Sequence, residues 1–313
     1  MANRFNAFMV MTAIVCLAVG AGVGTLMTRS GAEAASRPAR TADGRPNISG
    51  IWQANNEAYW DLEAHEARAG AVTQPGVYPY AYARVPAAPV LALGAAAIVP
   101  GSLGVVQGDG QIPYTPAAAM KKAENAANWI DRDPELKCYL PGIPRATYMP
   151  YPFQIVQSSA KIQMIYTFSN AARTIHLDQV AGPPDDTWMG HSVGRWEGDT
   201  LVVDVTGFND QSWFDRSGNF HSEALHVVER YTAASPHHLL YEATIEDPKV
   251  FTRPWKISMP LYRRLDANAQ VLEYKCPEFV EELMYGKLRK EPLPVMADFQ
   301  KWYSDYQPFP ATP

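Results

Sequence analysis

The chain has 313 residues, 47% of them hydrophobic, and a formal net charge of −5. The charge is mild and the lysines and arginines are scattered, which excludes the basic stripe of a nucleic-acid-binding domain. The apolar content is ample for a buried core.

Residues 1–35 read as a secretory signal peptide. Arg4 supplies the positive start, Phe8 to Met27 is apolar without a charge, and Ala32-Glu33-Ala34 is a small-x-small cleavage site. An apolar run of this length also fits an uncleaved anchor. The cleavage site favours removal, which implies a periplasmic or secreted protein with no stable membrane span. About 275 residues then remain, enough for one large or two small domains. Residues 36–45 form a short basic linker.

Residues 46–152 are expected to hold a first strand, Asn47 to Gln53, followed by a helical and proline-rich excursion. Glu57 to Ala69 has helical composition. Thr73 to Pro116 is punctuated by proline and glycine, with Tyr78, Tyr80 and Tyr82 alternating, and reads as a long irregular segment that wraps the domain or covers a site. Pro116 to Ile130 is expected to be a helix, with Pro116 in the first turn and alanines through the body.

From Phe153 to about Pro277 the pattern changes to short β-rich runs: "FQIVQS", "KIQMIYTF", "RTIHLD", "TLVVDVT", "ALHVVERYT", "HLLYEATIE", "WKISMPLYRRL" and "VLEYKC". Gly, Asn, Asp and Pro clusters separate them, as in an antiparallel meander. "SNAAR" and "DANAQ" suit hairpin loops. Residues 278–313 read as a helix and a proline-bounded coil. The fold class is therefore mainly β, an antiparallel barrel with an irregular N-terminal excursion and one or two helices.

Two resemblances refine this. Gly50-Ile51-Trp52 resembles the Gly-x-Trp that opens lipocalin-like (calycin) barrels. The resemblance implies that a late arginine, Arg263 or Arg264, stacks on the tryptophan. Further, "DGRPNISGIW", "PGIPR", "PFQIVQ", "GHSVGRWEGDTLVVDVTGF", "HSEALHVVERY", "EDP" and "PW" occur in this order between Asp43 and Cys276. That layout resembles a broad family of exported bacterial proteins of uncharacterised activity, and so implies no chemistry. Relatives often follow the last cysteine with His and Glu; here Pro277 and Glu278 follow Cys276.

Beyond Cys16 in the leader, the cysteines are Cys138 and Cys276. In an oxidising compartment they are expected to form one disulfide. Closing a loop of about 138 residues would stabilise by up to roughly 5 kcal/mol in the loop-entropy model.

Each β-rich run has an apolar face and a polar face, and alternation alone does not say which points inward. The functional reading places the polar faces inside. His176, His191, Asp204 and His221 are then the catalytic candidates, with Asp178 and Glu223 nearby. Histidine beside a carboxylate is an acid–base pair near neutral pH, suited to a lyase, hydratase or isomerase. Trp188, Arg195, Trp213 and Phe220 are the substrate-binding candidates, because aromatic walls with few polar groups suit a small, partly apolar molecule. No metal or other cofactor is implied, since neither HExxH nor zinc-knuckle spacing occurs. The small molecule is the expected partner. Glu197-Gly198-Asp199 reads as a turn, and Ser192 in "GHSVG" lacks the strand–turn–helix context of a nucleophile elbow. The alternatives are a non-catalytic lipocalin-like carrier of an apolar ligand and a structural envelope protein.

Overall fold

A computed structural model describes residues 38–69, 71–72, 83–84, 98–178 and 180–274. Nine strands form a closed barrel: β1 (Gly50–Ala54), β2 (Phe153–Gln157), β3 (Lys161–Tyr166), β4 (Ala172–His176), β5 (His191–Glu197), β6 (Thr200–Thr206), β7 (His226–Ser235), β8 (His238–Glu246) and β9 (Trp255–Arg263). Strands β2 to β9 pair in sequence order, and β1 closes the ring between β9 and β2. All pairings are antiparallel except β4–β5, which run parallel through only two registers, Ile175↔Ser192 and His176↔Val193. The mainly-β barrel expected from the alternation is thus the fold, and it is consistent with a lipocalin-like barrel. The signal region, Tyr78 to Tyr82, Cys276 and residues 278–313 lie outside the described residues.

The apolar faces point inward. Ile155, Met164, Ile175, Val203, Val227, Tyr241, Ile257 and Leu261 fill the interior, and their polar neighbours along each strand face out. Burial of the apolar set outweighs any preference of the polar faces for one another, since each large apolar side chain gains about 1.5–3 kcal/mol inside. These eight apolar residues are at most 1% exposed.

Trp52 is fully buried, and the Arg263 guanidinium lies 4.3 Å from its ring centre. Arg263 is fixed by donating to the Ser49 carbonyl at 2.6 Å and the Pro236 carbonyl at 2.7 Å. Gly50, at φ +146°, makes room for it: a Cβ there would sit 2.1 Å from Arg263 Nη1. Of the two arginines considered, Arg263 is the one that stacks; Arg264 turns out to Gln53 and Asp266.

Strand directions sort the connections. Tight turns at residues 158–160, 198–199 and 236–237 close the end near Gly50. The opposite end receives residues 55–64, 101–152, 207–225 and 247–254. There α1 (Pro116–Ala127) starts at Thr115, whose hydroxyl accepts from the Ala118 N–H. A short helix α2 (Trp129–Arg132) continues it, bearing out the expected helix. A one-turn helix α3 (Arg145–Tyr148) is wholly buried; Thr147 Oγ1 lies 3.4 Å from the Tyr231 hydroxyl inside the barrel.

Two expected elements do not form. Glu57 to Ala69 is not a helix but a turn followed by a bridge at His65 and a two-residue strand Arg68–Ala69, because carboxylates take its amides: Leu62 N–H donates to Asp215 and Glu63 N–H to Asp61. Val271 to Tyr274 is not a strand, and "DANAQ" leads to no hairpin, because β1 already occupies the outer edge of β9.

Candidate active site

The long loop between β6 and β7 crosses the covered end. Within it Trp213 and Phe220 form an antiparallel bridge, so Ser212 and His221 stand opposite one another one step along the ladder. Both are buried, and Ser212 Oγ lies 2.8 Å from His221 Nε2. His221 Nδ1 lies 2.9 Å from the Ser222 carbonyl oxygen. A carbonyl only accepts, so Nδ1 carries the proton. Nε2 is then the lone-pair nitrogen, and the Ser212 hydroxyl donates to it.

The electrostatics keep this arrangement neutral. Burial, the largest influence, lowers the His221 pKa; the Ser222 carbonyl and the charge of Asp247 oppose it without reversing it. Asp247 is buried and holds Ser222 from both sides, accepting from its N–H at 2.6 Å and its hydroxyl at 3.0 Å. The contacts run from Ser212 to His221, from His221 to the carbonyl of Ser222, and from the N–H and hydroxyl of Ser222 to Asp247. Phe208 and Phe214 flank the imidazole with ring centres 5.9 and 5.4 Å away.

The expected residues divide into three places. Trp188, Trp213, Phe220 and His221 gather at the covered end: Gly142 packs between Ser212 and the Trp188 carbonyl, and Trp188 meets Tyr139. His176 and His191 meet each other outside, at the β4–β5 seam, with ring centres 5.5 Å apart. His191 is the first residue of β5 rather than part of a glycine-rich loop, and its Nε2 lies 3.1 Å from the Val180 carbonyl. Asp204 is half-exposed on the outer wall, 3.1 Å from His226 Nε2. Arg195 is also on the outer wall, paired with Glu197 at 2.8 Å. The inward cluster of His176, His191, Asp204 and His221 therefore does not form. The cause is the choice of face: the interior went to the apolar stripe, which puts His176, His191, Asp204 and Arg195 outside. Asp178 and Glu223 are exposed as well, and Glu223 pairs with Lys249. Glu197-Gly198-Asp199 does form a turn, with Gly198 at φ +61° and Asp199 bound to Arg40.

Sequence reasoning missed the buried ionic groups. Arg173 reaches across the barrel interior to Glu229, donating through Nη1 at 2.7 Å and Nη2 at 3.1 Å; both are at least 95% buried. Glu229 Oε1 also accepts from the hydroxyls of Tyr231 and Tyr241, each at 2.9 Å. Arg173 Nη1 donates to Ser192 at 3.3 Å, so Ser192 is an interior hydrogen-bonding group. Burial, the largest single influence, lowers the Arg173 pKa, but Glu229 together with Tyr166 and Tyr231 outweighs it and the net shift is upward.

A second network lies under the covered end. Arg145 binds Asp133 through two nitrogens, at 2.8 and 2.9 Å, and Glu135 at 2.6 Å. Arg216 binds both Glu135 oxygens and stacks on Trp60 at 4.4 Å. A third centres on Asp215, which accepts N–H donors from Leu62, Ser217 and Asn219. Among the described residues no group of three or more His, Cys, Asp or Glu is placed to hold a metal ion, and no helix is long and apolar enough to cross a membrane. No family model, no curated protein and no solved structure matches the chain.

Proposed function

We propose that this is an exported enzyme acting on a small, partly apolar molecule at the loop-covered end of its barrel, with His221 as the general base. One observation carries the reading: a buried, neutral imidazole whose tautomer is set by a main-chain carbonyl and whose free lone pair faces a serine hydroxyl at 2.8 Å. A base of this kind contributes about 10²–10⁴ in rate. No described carboxylate bonds either ring nitrogen of His221; Asp247 acts one residue away, through Ser222. The lyase, hydratase or isomerase chemistry expected of a His–carboxylate pair is therefore less favoured than chemistry on a hydroxyl. The carrier alternative needs an apolar interior, and the Arg173–Glu229 pair with its two tyrosine hydroxyls inside the barrel weighs against it. His221→Gln keeps the bulk and removes the base. Incubated with an extract of small metabolites, the native protein is expected to consume at least one compound that His221→Gln leaves unchanged in mass-spectrometric profiles; identical profiles would sink the proposal.

Export rests on the apolar leader and its cleavage site, and carries with it a Cys138–Cys276 disulfide. The described neighbourhood supports the bridge. Ser169 Oγ donates to the Cys138 carbonyl at 2.8 Å, while the adjacent Asn170 Nδ2 donates to the carbonyl of Tyr274 at 3.3 Å. The Tyr274 ring packs on Phe168 at 5.0 Å. One three-residue turn thus holds the chain at Cys138 and again two residues before Cys276. Peptide mapping without reductant is expected to return a linked Cys138–Cys276 pair from protein recovered after export; two free thiols there would contradict it.

A further inference from the structure

We propose that Ser212 is a nucleophile and that the covered end of the barrel is an acyl-transfer site for an uncharged carboxylic ester. The inference rests on His221 being the base and adds the substrate class.

The geometry is that of an activated hydroxyl: nucleophile, base and orienting group within hydrogen-bond reach in that order. The only hydrogen bond the Ser212 hydroxyl makes among the described residues is the one to Nε2. Its other side faces Gly142, at φ +72°, where a Cβ would sit 2.2 Å from Ser212 Oγ and 3.3 Å from the Trp188 carbonyl. A glycine there lets a single layer of chain lie on the hydroxyl. Three residues earlier Tyr139 is exposed and rests against the half-buried Trp188, with ring centres 5.3 Å apart. Access to the hydroxyl requires residues 139–142 to move off Trp188, which takes Leu140 from the core and the Gly142 carbonyl from the Ala146 N–H. Phe208 and Phe214 beside the imidazole favour an acyl group without charge.

The step balances with water as the second reactant. Ser212 Oγ bonds to the ester carbonyl carbon as its proton passes to His221 Nε2. The C–O bond to the alcohol breaks, and Nε2 returns the proton to the departing oxygen, which leaves an acyl-serine. Water then attacks the same carbon, gives its proton to Nε2, and releases the carboxylic acid as Ser212 Oγ recovers a proton. Asp247 is a positioning residue here, because it reaches the imidazole only through Ser222.

The test uses a fluorophosphonate probe on the full-length protein, read by intact mass and peptide mapping. One adduct is expected, on Ser212, with none in Ser212→Ala. In His221→Gln the labelling rate is expected to fall at least about 100-fold, and native labelling should rise with pH as imidazole loses its proton. Far-ultraviolet circular dichroism establishes that each variant is folded. No adduct on Ser212, an adduct elsewhere only, or equal labelling in His221→Gln would overturn the proposal. If Ser212 stays unlabelled while His221→Gln still abolishes metabolite turnover, the base stands and the nucleophile falls. If neither measurement responds, both fall.

Discussion

Replacing Glu229 by Gln is expected to destabilise the fold by about 3–5 kcal/mol, because it strands a buried guanidinium without its counter-charge. Among the described residues Arg173 meets no other carboxylate within the interior; its remaining partners are Tyr231 at 3.0 Å, Ser192 and the Met164 sulfur. Its Nε has no hydrogen-bond partner among the described residues, so the ion pair with Glu229 is most of what compensates its burial. Arg173→Met should cost a similar amount by leaving Glu229 charged with only two hydroxyls. The double variant, in which no charge is left inside, should regain most of the loss, since an apolar replacement of a buried pair is often neutral. Urea unfolding of the four proteins closes the cycle, and a coupling energy near zero would show that the pair acts as two independent residues. In melting temperature each single change corresponds to a fall of about 10 °C for a domain of this size.

The stability of the native protein should fall as pH rises from about 4 to about 7. The reason is Asp215, a fully buried carboxyl pushed up to about 7, first by desolvation and next by the neighbouring charge of Asp61. Hydrogen bonds from Asn219 and the Leu62 N–H and the charge of Arg145 pull the other way. Between its unfolded and folded pKa values this carboxyl holds a proton in the folded chain and not in the unfolded one. Its contribution is therefore complete below about pH 4 and lost as pH passes 7, by about 4 kcal/mol at most under linkage. Asp215→Asn cannot titrate. Thermal melts from pH 4 to 8 should show a slope in the native protein that is flattened in the variant, whatever the variant's absolute stability. Parallel curves would exclude Asp215 as the cause.

The barrel was legible because most of its strands alternate and their turns are rich in Gly, Asn and Asp. The direction of each face was not, since both faces of "RTIHLD" and "TLVVDVT" make consistent patterns. A clue lay in the apolar stripes themselves: Arg173 shares a face with Ile175, and Glu229 shares one with Val227 and Tyr231. A charge in the apolar stripe of each of two strands marks a buried pair more reliably than a histidine near a carboxylate on the polar stripe. His221 was legible as a loop histidine among aromatics. Ser212 was not, because "NDQSWFD" has no period and its contact with His221 depends on the ladder that Trp213 and Phe220 make. The helical composition of Glu57 to Ala69 misled for a different reason. Propensity is local, whereas the carboxylate that captures Leu62 N–H comes from a residue 153 positions away.

The position of β1 has a kinetic consequence. This strand pairs with β2 and β9, so the hydrogen bond between Ser49 and Arg263 joins residues 214 apart. Bringing such ends together costs about 3 kcal/mol more in chain entropy than closing a ten-residue loop. Hairpins β5–β6 and β7–β8 are able to form early, but the ring closes only once Trp255–Arg263 is present. Contacts this distant belong to the slow end of the folding range, milliseconds to seconds. In a chain that crosses a membrane amino end first, Trp52 and β1 would have to wait, unpaired, for almost the whole barrel to arrive.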